Sequence, residues 1–150
     1  MIMKNMYLKM LLVGFTAMLS IGALGQISVA NYFNEQASIG VGYDITKKLK
    51  TELRLGISNF VNTDLFLTYE FITRENYSIY SGIGTGSYDA IEDYKVSALA
   101  GIEIKPFKKE HGLTLHMELQ PFYDNIFNKS ATGRFYHSWG IRYTFGKAKD

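Results

Sequence analysis

Three histidines are the residues best suited to acid–base or nucleophilic work in this chain of 150 residues, which has no cysteine. His116 and Glu118 stand two apart, so on a strand they share a face, as a base and its orienting carboxylate must. No serine stands beside them on that face. His137 and Ser138 are adjacent, so a strand turns their side chains to opposite sides, and they cannot act as a nucleophile–base pair. His111 falls in a turn with Lys108, Lys109 and Glu110. His116 and Glu118 lack a third metal ligand, and without cysteine there is no thiolate site or disulfide scaffold. Gly82-x-Gly84-x-Gly86 has the letters of a phosphate loop, but it alternates within a strand and no helix follows. The expectation is therefore no enzyme activity, no metal and no cofactor.

A second set of reactive groups is ionic: Lys50, Glu52, Arg54, Glu70, Glu103, His116, Glu118 and Arg142, accompanied by Asp44, Lys95, Gln120 and Arg134. All twelve occupy even or odd positions that put them on the polar face of an alternating segment. Charges drawn together and removed from water must pair. Arg54, Arg142 and Lys50 are expected to serve Glu52, Glu70, Glu103 and Glu118, because an arginine fork bridges several carboxylates.

The elements that position this set are strands. Apolar residues alternate with small or polar ones along Gln36–Ile45, Leu49–Asn59, Leu65–Ile72, Tyr77–Tyr88, Tyr94–Ile104, Leu113–Tyr123 and Arg134–Phe145. Ile27–Phe33 is a weaker eighth: Ile27, Val29 and Phe33 against Ser28, Ala30 and Tyr32. Along Leu65–Ile72 the inner positions are Phe66, Thr68, Glu70 and Ile72. The separators are short and polar, and none is long enough for a crossover helix. This predicts an all-β meander of eight antiparallel up-and-down strands.

Such alternation fits a barrel with either face inward. Three features favour apolar side chains outward and a polar lumen. The polar face is rich in glycine and serine, which leave room for a few long side chains inside eight strands. The apolar face runs about ten residues per strand, the length a tilted strand needs to cross a bilayer. With both termini taken as periplasmic, Tyr43, Tyr69, Phe71, Tyr77, Tyr143 and Phe145 gather at one end of the outer face. Phe33, Tyr94, Tyr123 and Phe135 gather at the other, giving two aromatic girdles. Asn59, Ser81, Thr51 and His137 depart from the pattern, and Trp139 lies near mid-height.

Residues 1–25 carry Lys4 and Lys9, an apolar stretch Met10–Leu24 and small residues before Gln26, the pattern of a cleavable signal peptide. Residues 26–150 would then form the transmembrane β-barrel. Of 16 basic residues, Lys4 and Lys9 fall in the leader, so 14 remain against 14 acidic ones. No basic surface argues for nucleic acid.

The strand count, the girdles and the last strand, Trp139-Gly-Ile-Arg-Tyr-Thr-Phe145, resemble small bacterial outer-membrane barrels of the outer-membrane-protein A/X kind. The tail Gly146–Asp150 after the terminal aromatic resembles Bacteroidetes-type members. The resemblance implies location in a Gram-negative outer membrane, and partnership with its lipid and with the barrel-assembly machinery. Ile126 and Phe127, in the connection 124–133, are candidates for contact with a partner protein. The expected function is an integral barrel with a plugged lumen, a structural envelope protein or a small subunit of a larger outer-membrane complex. The alternatives are a lipid-modifying outer-membrane enzyme and a soluble secreted barrel that binds an apolar ligand.

Overall fold

The computed structural model describes residues 25–33, 37–56, 62–88, 93–107, 112–124 and 132–146. Residues 1–24 of the expected leader, His111, and Ile126 and Phe127 lie outside the described residues. Eight strands follow in order: β1 (Ile27–Phe33), β2 (Ser38–Asp44), β3 (Leu49–Gly56), β4 (Thr63–Thr73), β5 (Tyr77–Tyr88), β6 (Asp93–Ile104), β7 (Leu113–Asp124) and β8 (Thr132–Phe145). Each pairs antiparallel with the next, and β8 closes on β1. Closure leaves no unpaired edge.

The register fixes the shape. A path perpendicular to the strands runs from Ile27 to Tyr43, Thr51, Leu67, Ile83 and Ala98. It crosses β7 at Pro121, between the pairs made by Phe122 and Leu119, and reaches Phe135 on β8. Extending the β1–β8 register, in which Phe33 faces Trp139, brings it back to β1 at position 37, ten residues along from Ile27. Eight strands with a shear of ten must tilt by about 40°. Each residue then climbs roughly 2.5 Å along the barrel axis. Such a barrel has an interior only wide enough for side chains.

Side chains sort by face as the alternation predicts. Leu53, Leu67 and Leu119 point outward, 43%, 42% and 52% exposed, whereas Glu52 and Arg142 are each 2% exposed inside. Among the described residues, twenty-eight large apolar side chains are exposed, and only Ala30, Tyr32, Phe66, Tyr80, Leu99 and Phe122 form the buried apolar set. The Tyr43, Tyr69, Phe71, Tyr77, Tyr143 and Phe145 positions all lie at the end of the barrel where β1 begins and β8 finishes, here the terminal end. All but the half-buried Tyr43 are exposed.

Among the described residues, alternation fails at one place. Glu70 faces Tyr80, but the next pair is Ile72 with Ile79, so β4 carries one extra residue at Phe71. This bulge turns Phe71 and Ile72 outward together, 51% and 37% exposed. Ile72 is therefore an outer-face residue rather than an inner one, and Thr73 returns inward to hydrogen-bond Glu70 at 3.3 Å. Strand ends also differ modestly: β4 and β8 each start two residues early, and β2 stops at Asp44.

Candidate functional site

The site is the lumen, and strand geometry decides what enters it. Glu52 and Arg54 stand two apart on β3, so both point inward. His116 and Glu118 do so on β7, Arg142 on β8, and Glu103 on β6. At mid-lumen the Arg54 guanidinium forks onto Glu118, with Nη1 to Oε2 at 2.6 Å and Nη2 to Oε1 at 2.9 Å. Its Nε donates to Glu52 at 2.6 Å. Arg142 donates from Nη2 to Glu52 at 2.6 Å and to the Tyr32 hydroxyl at 2.7 Å, and its Nη1 pairs with Glu103. Two arginines thus link three carboxylates carried on β3, β6 and β7.

Aromatic side chains complete the set. The Tyr32 hydroxyl donates to Glu52, and Tyr80 donates to Glu118 at 2.5 Å. The Arg54 guanidinium lies between two rings, 3.9 Å from the Tyr32 centroid and 4.3 Å from that of Phe66. A guanidinium held on ring faces keeps favourable electrostatics where water is excluded. Phe66, Tyr80 and Leu99 form an apolar cluster beside it. Glycines on the wall make room: a Cβ on Gly101 would enter the Tyr80 ring, and one on Gly84 the Phe66 ring.

The remaining ionic residues flank this centre. Towards the terminal end Lys50 stands 3.6 Å from Glu103 and 3.9 Å from both Asp44 and Glu70. These four, with Thr114, line a cavity of about 320 Å³ that opens at that end. On the far side Lys95 bonds Asp64 at 2.9 Å beside the Phe122 ring, and a smaller cavity of about 40 Å³ reaches Arg54. The arginine–carboxylate centre lies between the two cavities.

Each predicted member of the ionic set except His116 forms an ion pair. His116 is buried and tilts against Tyr32 with ring centroids 4.3 Å apart. Neither of its ring nitrogens has a hydrogen-bond partner among the described residues. Arg134 sits exposed at the far end of β8 rather than inside. Reading the sequence missed three things. Asp64 lay in what looked like a separator, although β4 begins at Thr63. Leu99 is apolar at an inward position. Tyr32, Phe66 and Tyr80 fell on the inner face but carried no sign of joining the ionic set.

No group of three or more His, Asp or Glu able to hold a metal occurs among the described residues. No protein-family model and no curated protein matches the chain. Solved structures do. The Neisserial surface protein A crystal structure is similar at TM-score 0.53 and 15% identity, over 81% of this chain and 94% of that one. The designed protein TMB2.3, solved by solution NMR, is similar at TM-score 0.55 and 15% identity, over 83% and 95%. At such identity the likeness is one of fold.

Proposed function

We propose that the chain is an integral outer-membrane β-barrel whose lumen is plugged, serving as a structural envelope protein or as a small subunit of a larger outer-membrane complex. One observation carries this reading: the apolar face of the closed sheet is on the outside and the ion pairs are within. Burying one large apolar side chain contributes about 1.5–3 kcal/mol. Twenty-eight such side chains half-exposed to water would forgo tens of kcal/mol, against a net stability of about 5–15 kcal/mol for a domain. Hydrocarbon removes that cost. The fold shared with Neisserial surface protein A supports the same location. Outer-membrane lipid is then the immediate partner, and the barrel-assembly machinery the partner during insertion.

The plug is the arginine–carboxylate centre with its Tyr32, Phe66 and Tyr80 rings, which divides the lumen. His116 is assigned no catalytic role in this reading; among the described residues its ring nitrogens bond neither a hydroxyl nor a carboxylate. Two measurements test the proposal. The protein should fractionate with outer membranes and show heat-modified mobility on gels. In planar bilayers it should pass no large steady current. Dissolution without detergent defeats the membrane reading, and steady open currents defeat the plug.

A further inference from the structure

The outer wall has a local anomaly. Among its exposed positions, Asn31 on β1 and His137 on β8 are polar, and their side chains find no hydrogen-bond partner among the described residues. Thr51 and Thr85, also outward, satisfy their hydroxyls on the carbonyls of Phe66 and Lys95. Trp139, 57% exposed, lies between the two polar residues and stacks on Phe33 with centroids 4.8 Å apart. Ser81 on β5 is outward, exposed and polar as well, whereas Asn31, His137 and Trp139 stand together on the two strands that close the barrel. Asn31 is four residues beyond Ile27, whose neighbours Tyr43 and Phe145 belong to the terminal-end girdle. At the climb per residue set by the tilt, Asn31 sits roughly 10 Å inside the apolar band. Its own pair partners are Ile39 and Ile141. An amide there has neither water nor headgroup to bond, and such groups in membranes find partners on a facing protein surface.

We propose that the β1–β8 seam is a self-association surface, and that its occupant is a second copy of this chain. The inference rests on the membrane reading and goes beyond it. Copies inserted in the same direction are related by a two-fold axis along the membrane normal, so residues of equal depth meet. Asn31 then faces Asn31. A carboxamide both donates and accepts, so two of them satisfy each other without any further group. The Trp139–Phe33 stack beside them supplies an aromatic ledge for the same contact. A different membrane protein would need its own polar group at that depth, whereas a copy brings it automatically.

The chain has no cysteine, so a single introduced one reports cleanly. Asn31→Cys should form a disulfide-linked dimer on oxidation in native outer membranes, because a two-fold contact brings the pair within disulfide reach. Ile83→Cys, outward on the opposite wall, should stay monomeric. Asn31→Leu should lose the dimer mass in mild detergent and keep heat-modified mobility, and Asn31→Gln should retain both. Equal linking at both positions, or none at Asn31, overturns the proposal. So does a different protein retained through Asn31. Folded mobility of the variants shows that the barrel is intact, so loss of linking is loss of association alone. A wild-type chain that never acquires that mobility defeats the membrane reading and the dimer with it.

Discussion

Glu52 is the residue on which most of the lumen converges. It accepts from Arg54, Arg142 and Tyr32, and it is buried. Glu118 accepts from Arg54 and Tyr80. Removing one partner from such a cluster leaves an uncompensated charge, which costs about 3–5 kcal/mol, whereas replacing both partners by apolar groups costs far less. Glu118→Leu should therefore destabilise the barrel by about 3–5 kcal/mol in denaturant titrations from detergent or lipid. Adding Arg54→Met to Glu118→Leu should recover part of that loss. Additive losses in the double variant would mean that the two side chains do not act as a pair. Among the described residues His116 has no ionic partner, so His116→Ala should shift stability only by a packing effect.

At the scale of elements, the strands act as walls that yield to the lumen side chains. Gly84 on β5 and Gly101 on β6 stand where the Phe66 and Tyr80 rings press against the sheet. Overpacking such a contact costs about 1–3 kcal/mol. Gly84→Val should lower the temperature at which gel mobility shifts, and Phe66→Leu in the same chain should relieve it. No relief would place the strain elsewhere on β5. The outer face gives a test of sign. Leu67 is outward near mid-band, and Tyr143 is outward at the terminal-end girdle. Arginine at Leu67 should cost about 2–4 kcal/mol for folding into lipid vesicles, and at Tyr143 about 0–1 kcal/mol. A water-exposed wall would tolerate both substitutions equally.

For the whole molecule, the consequence of eight strands with a shear of ten is a narrow lumen that side chains fill. The long residues that fill it are arginines, carboxylates and rings drawn from β1, β3, β4, β5, β6, β7 and β8. Their mutual bonds tie strands remote in sequence, such as Arg54 on β3 to Glu118 on β7. This cross-bracing substitutes for an apolar core, and it leaves the apolar side chains on the outer face, where the proposed membrane placement would set them against lipid. Weakening the centre at several points at once, as in Glu52→Gln with Arg142→Met, should admit ions before it abolishes folding. Bilayer conductance of that variant, compared with the parent, reports it. A parent-like silent trace from a folded variant would assign closure to Phe66, Tyr80 and Leu99.

Much of this was legible from residue order. Period-two alternation names the strands and their faces, because a strand offers only two sides. Parity puts Lys50, Glu52, Arg54, Glu103, Glu118 and Arg142 on one face of their strands, and the small residues, strand length and aromatic girdles made that face the inner one. Leu53, Leu67 and Leu119 fall on the opposite face by the same parity, and the same three features turn them outward. Tertiary structure decided what parity cannot encode. The bulge at Phe71 turned Ile72 outward, because an inserted residue reverses the faces beyond it, and local pattern carries no mark of an insertion. Pair identity was likewise undetermined. Which carboxylate meets Arg54 depends on the shear, and the shear is a property of all eight registers together. The recruitment of Tyr32 and Tyr80 as donors, and the lack of a hydrogen-bond partner for His116 among the described residues, depend on distances across the lumen that no single strand contains.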